Sequence, residues 1–134
     1  MSSSPNRLLA VVFGAVYVLV GLLGFTVTAG VGFFDTSGGL LLGLFEVNIL
    51  HNVAHLLIGA ALLIAGLSSV PAARSVNTTI GAVYLLLGIV GLFLVGSELN
   101  ILAINAADNV LHFGSAAVLL AVGLGADKSA HARA

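Results

Sequence analysis

Hydrophobic residues are grouped into four long stretches along the chain, and most polar residues lie in the short segments between them. The stretches cover about 8–28, 49–67, 79–95 and 106–125. A helix needs about 20 apolar residues to cross the hydrocarbon layer of a membrane, and each stretch is close to that length. The pattern therefore predicts an all-α membrane protein, with four transmembrane helices in one domain that covers residues 1–134.

The overall composition supports this interpretation. Hydrophobic residues make up 60% of the chain and charged residues 7%, whereas a soluble domain has roughly a quarter charged residues. Too few residues lie outside the stretches to form a soluble domain. The first stretch is not interpreted as a signal peptide, because it is longer than the roughly 7–15 residues of a signal core and a similar segment recurs at 79–95.

The charged residues predict an orientation in the membrane. All four basic residues fall on one side of a four-span arrangement, and four of the five acidic residues fall on or near the other side. The positive-inside rule then places both termini and the middle loop in the cytoplasm of a multi-pass protein of the plasma membrane. The basic residues are Arg7, Arg74, Lys128 and Arg133, and the four acidic ones are Asp35, Glu46, Glu98 and Asp108.

Two loops are predicted between the first three spans. The middle loop, 68–79, contains Ser, Pro and Asn residues that are typical of loops and helix starts. The first outer loop, about 29–47, is rich in Gly and also apolar. We expect it to fold back onto the membrane surface or to cap the bundle, because it is too short for another span.

The chain contains an internal repeat, with repeat 1 at about 7–68 and repeat 2 at about 77–125. Segment 13–24 matches segment 80–91 at a shift of 67, and the second spans match at a shift of 57. The polar identities are Tyr17 with Tyr84, Asn52 with Asn109, and His55 with His112. Each copy holds two spans, so the expected symmetry is a pseudo-twofold axis along the membrane normal. Glycines at 21 and 24 recur at 88 and 91 and favour close packing of helices.

One motif resembles a known family. Residues 48–59 read Asn-x-x-His-Asn-x-x-His-x-x-x-Gly within four predicted spans. This string is similar to that of a small bacterial membrane family catalogued as domain of unknown function 4383, and the resemblance covers Arg7 to about Leu124. The family has no established activity, so the resemblance implies a fold and a topology without a mechanism.

Candidate chemistry is concentrated in the second and fourth spans. His51 and His55 are four residues apart, as are Asp108 and His112, and such pairs share a helix face. All four lie in the first two turns or so of their helices and are predicted to converge in the outer half of the bundle. Three imidazoles and a carboxylate form a ligand set for zinc, copper or iron. The supporting polar residues are Asn48, Asn52, Asn109, Glu46, Glu98, Tyr17 and Tyr84.

Other interpretations of this cluster remain open. A His51–Asp108 pair with an Asn52–Asn109 pair would join the two hairpins by hydrogen bonds alone. That interpretation makes the protein structural or accessory, as a homo-oligomer or a subunit of a membrane complex. A haem held between His55 and His112 is a further alternative to a metal ion.

Transport and catalysis have less support from the sequence. A proton or ion carrier usually needs a relay or cavity across the whole membrane, and the cytoplasmic halves of the four spans carry no ionisable residues apart from the flanking ones. The chain has no cysteine, which excludes thiolate chemistry and cysteine metal sites. It also has no nucleophile motif and no phosphate loop, so an enzyme activity would require the bound metal. No basic surface suggests nucleic acid as a partner, and the lipid bilayer is the expected environment.

Overall fold

The computed structural model describes residues 4–128, which form four long α-helices and one short β-hairpin. All four helices are long and apolar enough to cross a membrane, so the prediction of a helical protein with four candidate spans is confirmed. The elements are α1 (Pro5–Gly24), β1 (Gly39–Leu41), β2 (Phe45–Val47), α2 (Ile49–Ser68), α3 (Val70–Leu94) and α4 (Ala106–Gly125).

The helices pack as two antiparallel pairs, α1 with α2 and α3 with α4. We call the two ends of this bundle the terminal end and the loop end. The terminal end holds the start of α1, the α2–α3 junction and the end of α4. The loop end holds segments 25–48 and 95–105, and the helices α2 and α4 begin there.

The bounds of two helices, α3 and α1, differ by several residues from those predicted. The third helix begins at Val70 and not at 79, so the predicted loop 68–79 is wrong. Ser69 caps this helix through a hydrogen bond from the backbone N–H of Ala72. Pro71 lies in the first turn, where a missing N–H costs no hydrogen bond. The first helix likewise begins at Pro5, because Ser4 caps it, and it ends at Gly24, before the predicted end at 28.

The β-hairpin covers the loop end of the bundle. Its antiparallel strands pair Gly39 with Val47 and Leu41 with Phe45, and the side chains of Leu41 and Val47 are buried. This agrees with the expectation that the first outer loop caps the bundle. The strands themselves were not predicted, because three residues are too few to show the alternating pattern of a strand.

The terminal end is joined by buried amide side chains. Asn77 of α3 donates from Nδ2 to both the carbonyl oxygen and the Oδ1 of Asn6 in α1, each at 3.0 Å. Asn6 in turn donates to the carbonyl of Val122 in α4. Both asparagines are fully buried. A polar residue in the predicted middle loop therefore serves to connect three helices.

Candidate functional site

The helices α2 and α4 both begin at the loop end, and an asparagine caps each of them. Asn48 Oδ1 accepts from the backbone N–H of His51 at 2.8 Å. Its Nδ2 donates to the carbonyl of Ile101 at 2.6 Å and to that of Asp35 at 2.9 Å. Because Ile101 precedes α4, this fully buried side chain fixes the start of α2 against the other helix pair.

Three histidine side chains meet between these helices. His51 and His55 come from α2 and His112 from α4, and each is at most 3% exposed. One ring nitrogen from each histidine lies within 4.8 Å of one from each of the others. The ring centroids of His51 and His55 are 4.4 Å apart, and those of His51 and His112 are 5.9 Å apart. The predicted convergence of the three histidines is present in the structure.

The orientation of the His51 ring is set by a backbone carbonyl. His51 Nδ1 lies 2.8 Å from the carbonyl oxygen of Leu102, which can only accept, so Nδ1 carries the proton. In the neutral ring Nε2 then carries a lone pair, which accepts a hydrogen bond from His55 Nε2 at 3.1 Å. A histidine that donates one ring N–H to a carbonyl and presents the other nitrogen inward has the arrangement typical of a metal ligand.

The other two histidines have ring nitrogens without partners. Neither nitrogen of His112 forms a hydrogen bond with the described residues, and the Nδ1 of His55 does not either. An unsatisfied buried polar group costs about 1–3 kcal/mol. Three such nitrogens in one cluster therefore indicate that the protein atoms alone do not complete the site.

Asp108 lies one turn before His112 on α4 but is not one of the residues whose ligand atoms meet. Its Oδ2 accepts from the backbone N–H of Asn105 at 3.0 Å, and its own N–H donates to Asn105 Oδ1. Together these bonds form a capping box at the start of α4, where a carboxylate also interacts favourably with the helix dipole. The capping role accounts for one carboxylate oxygen, and Oδ1 is buried without a partner among the described residues.

Two tyrosines extend the cluster toward the centre of the bundle. The rings of Tyr17 and Tyr84 stack with centroids 5.4 Å apart. Tyr17 packs against His55 at 5.3 Å, and Tyr84 stacks on His112 at 5.1 Å with an interplanar angle of 15°. The tyrosines thus contact the histidines through their rings, whereas the sequence suggested their hydroxyls. The hydroxyl of Tyr17 instead bonds to Ser115 Oγ at 2.6 Å.

The remaining predicted residues lie around the site without entering it. Asn52 donates from Nδ2 to the hydroxyl of Thr28 at 3.2 Å. Asn109 packs so closely against Gly91 that a Cβ on Gly91 would clash with the Oδ1 of Asn109. Glu46 accepts from the backbone N–H of Gly38 at 2.7 Å. Glu98 lies in an exposed turn before α4.

The hydrogen bonds that the sequence suggested between the helix pairs are not the ones formed. His51 bonds to Leu102 and not to Asp108, and Asn52 bonds to Thr28 and not to Asn109. The sequence also gave no indication of the Leu102 carbonyl, because a backbone acceptor leaves no trace in residue identity. Ser115 could have been noticed, because it is a hydroxyl residue in the middle of an apolar span. The repeat aligns it with Ile58, which is apolar, in the first copy.

The sequence profile of a family described as domain of unknown function matches residues 7–125. The chain belongs to that family, domain of unknown function 4383. The match covers nearly all of the described residues, includes the four helices and the histidine motif of α2, and confirms the resemblance seen in the sequence. No curated protein matches the chain, and no solved structure matches it.

Proposed function

We propose that this member of the family binds one transition-metal ion through His51, His55 and His112. The observation that carries the proposal is the meeting of three buried imidazoles from two helices, with the ring nitrogens of His112 unpartnered. Membrane helices rarely contain ionisable side chains, and those present usually mark a functional site. Neutral imidazole suits zinc, copper and iron, and the three residues come from facing helices of a bundle, as metal ligands often do.

The distances between the histidines fit a metal ion. In a tetrahedral zinc site with Zn–N bonds of about 2.0–2.1 Å, two ligand nitrogens are about 3.3 Å apart. His51 Nε2 and His55 Nε2 are 3.1 Å apart, so this edge of the coordination shell is nearly formed. The nitrogen of His112 lies within 4.8 Å of the other two and would complete the set by a small movement. Three protein ligands leave one position for a further ligand, as in catalytic zinc sites.

The arrangement favours an ion over the haem alternative. A haem between His55 and His112 would need a flat slot between these two rings. The His51 ring lies 4.4 Å from that of His55 and 5.9 Å from that of His112, so it fills the space beside both. A small ion needs no such slot.

Hydrogen bonds elsewhere already join the two helix pairs, which weakens the purely structural interpretation. Asn77 bonds to Asn6, Tyr17 bonds to Ser115, and Asn48 bonds to Ile101. Within residues 4–128, neither His55 nor His112 adds a hydrogen bond between the pairs. We therefore infer that these two histidines serve a bound species.

The two helix pairs are also proposed to be copies of one hairpin, related by a pseudo-twofold axis. Equivalent contacts recur at the repeat spacings. Arg7 donates to the carbonyl of Gly66, and Arg74 donates to that of Gly123. Asparagine caps α2 and α4 at equivalent positions. On this proposal His55 and His112 are equivalent, and Asp108 stands where the first copy has His51.

The location of the site follows from the proposed topology. The described basic residues Arg7, Arg74 and Lys128 lie at or near the terminal end, whereas the metal site lies near the loop end. Arg133 lies outside the described residues. With both termini in the cytoplasm, the histidines occupy the outer-leaflet half of a plasma-membrane protein. The ion would then exchange with the outer side of the membrane.

The proposal is tested by metal analysis of protein purified in detergent without a histidine tag. Wild type should contain or take up close to one equivalent of zinc, copper or cobalt, and nitrogen couplings in the Cu²⁺ EPR spectrum should indicate about three imidazoles. His112→Phe, which keeps a ring on Tyr84, should lose this binding and remain helical by circular dichroism. His131→Ala, in the C-terminal tail, is the matched control and should bind like wild type.

Two results would contradict the metal proposal. One is wild-type protein that takes up no metal after dialysis against each ion. The other is uptake that persists in both His112→Phe and a triple alanine variant of His51, His55 and His112, because the bound metal would then lie elsewhere.

A further inference from the structure

A cavity of about 280 Å³ lies beside the stacked tyrosines, between α1, α4 and the β-hairpin. Most of its lining is apolar, and the polar groups among the lining residues are the hydroxyls of Tyr17 and Ser115. Val12 and Val16 are about half exposed on the outer surface of α1, so the cavity opens toward the lipid. The apolar walls are formed by Val12, Val16, Val20, Leu41, Phe45 and Leu111.

The Tyr17–Ser115 pair retains unused hydrogen-bonding capacity at the inner wall of this cavity. Two hydroxyl groups carry two protons, and the single bond between them at 2.6 Å uses one. Among the described residues neither hydroxyl forms another side-chain hydrogen bond of good geometry, although the hydroxyl of Tyr84 lies close to that of Tyr17. A phenol is the stronger donor, so Tyr17 donates to Ser115 and the remaining proton is that of the Ser115 hydroxyl. Both side chains are at most 5% exposed and line the apolar cavity, where an unpaired donor is costly.

We propose that the cavity binds the ring of a membrane-dissolved quinone, whose carbonyl oxygen accepts the remaining hydroxyl proton of the Tyr17–Ser115 pair. An acceptor is required because the pair has a proton to donate. A planar ring is favoured because Phe13, Tyr17 and Phe45 line the space, and aromatic rings pack well against one another. The volume is at the small end for a ligand pocket, which suits a ring whose tail leaves past Val16 into the lipid.

The depth of the hydroxyl pair argues against a phospholipid. Tyr17 lies seven residues before the end of α1 at Gly24, which is about 10 Å at 1.5 Å per residue. Ester carbonyls and charged head groups stay at the membrane surface, and the lining contains no charged residue. A quinone carries its carbonyls on an uncharged ring that dissolves in the hydrocarbon layer.

The two tyrosines of the chain provide the assay. The protein has no tryptophan, and Tyr17 and Tyr84 are its only tyrosines. In a Tyr84→Phe background, intrinsic fluorescence therefore reports on Tyr17 alone. A short-tailed benzoquinone should quench it along a saturating curve, measured in detergent with chelator present and corrected for quinone absorption against free N-acetyltyrosinamide. Because the chelator removes metal, this test is independent of the metal proposal.

Two variants and one control identify the site. Val16→Phe fills the opening and Ser115→Ala removes one hydroxyl, and each should raise the half-saturating quinone concentration about tenfold or more, the effect of losing roughly one good contact. Val83→Phe makes the same change on the lipid-facing surface of α3, where the side chain is similarly exposed, and should bind like the parent. If Val16→Phe is not helical by circular dichroism, Val12→Phe replaces it.

Two results would overturn the proposal. Quenching that rises linearly and equally in parent, Val16→Phe and Ser115→Ala would mean that the quinone only dissolves in the micelle. Displacement of the quinone by an equal concentration of a saturated fatty-acid methyl ester would mean that the cavity takes acyl chains without preference for a ring.

Discussion

The helices α1 and α2 approach each other closely where two glycines face each other, and this crossing makes a quantitative prediction. At this crossing Gly14 of α1 faces Gly59 of α2. A Cβ placed on Gly14 would lie 2.6 Å from the backbone nitrogen of Leu63 and 2.8 Å from the carbonyl oxygen of Gly59. An ordinary contact needs at least 3.4 Å, so Gly14→Ala must separate the two helices by about 0.8 Å. Backbone atoms cannot move aside as a side chain could.

The cost of this separation can be worked from the packing. A gap of about 0.5–1 Å already removes a quarter to a half of the dispersion energy of the atoms around it, and inserting one methyl group into a packed core costs about 1–3 kcal/mol. We take the upper value, about 3 kcal/mol, because the obstruction is backbone. Alanine has about 1 kcal/mol better helix propensity than glycine. Gly14→Ala should therefore lower the free energy of unfolding by about 2 kcal/mol.

The chain offers two graded controls for this substitution. At Gly81 of α3 a Cβ would meet the backbone nitrogen of Leu120 at 3.0 Å, so the required separation is about 0.4 Å and Gly81→Ala should cost less. At Gly114 of α4 a Cβ would meet nothing within 4 Å, so Gly114→Ala should be neutral or slightly stabilising. The free energies are measured by reversible unfolding in mixed detergent micelles, followed by circular dichroism.

Two outcomes would refute this reasoning. The first is a Gly14→Ala variant as stable as Gly114→Ala. The second concerns the double substitution Gly14→Ala with Gly59→Ala. Once the first methyl has separated the helices, the second should cost less than it does alone, because both act at one crossing. Strictly additive losses would show that the two glycines do not share a contact.

Two further predictions concern the terminal end of the bundle and its orientation. Asn77→Ala removes two buried hydrogen bonds to Asn6 and should destabilise the fold by about 1–2 kcal/mol. Thr79→Ala, at an exposed position two residues away, should change stability by less than about 0.5 kcal/mol in the same unfolding measurement. For the topology, a single cysteine at Glu98 should react with a membrane-impermeant maleimide on intact cells, and one at Lys128 only after lysis. The reverse labelling would invert the proposed orientation.

The fold could be predicted largely because a membrane helix has a strong signature. The requirement for about 20 apolar residues located all four helices, and α4 was predicted at its observed bounds, Ala106–Gly125. The predicted start of α3 was wrong because polar residues were interpreted as loop. Asn77 satisfies its amide inside the bundle, through Asn6. Hydropathy along one chain contains no information about such a partner.

The candidate site could be predicted only as a group of residues. Helical spacing brought His51 onto the same face as His55, and the matching position of His112 indicated that the three would meet. The same spacing placed Asp108 with His112, but at the third position of α4 its carboxylate caps the helix. Spacing determines which side chains share a face, whereas hydrogen bonds to the backbone determine where each side chain turns.

The proposed repeat gives a physical reason why chemistry is found at so few positions. Some residues that the two copies keep make the same contact within each copy, such as Arg7 with Gly66 and Arg74 with Gly123. Such contacts are satisfied within one copy and leave nothing for a ligand. The kept pair His55 and His112 instead meets across the two copies, and His51, whose counterpart is Asp108, joins them.

Both proposed sites contain such differences. The repeat aligns His51 with Asp108, and the Nε2 of His51 is hydrogen-bonded to His55 Nε2 within the cluster. Ser115 stands where the first copy has Ile58, so Tyr17 has a hydroxyl partner there, whereas the Tyr84 hydroxyl has no hydrogen-bond partner among the described residues. Replacing Ser115 with isoleucine would restore the equivalence of the copies at this position. On this reasoning the variant should still fold and bind metal, and it should lose saturable quinone quenching of Tyr17.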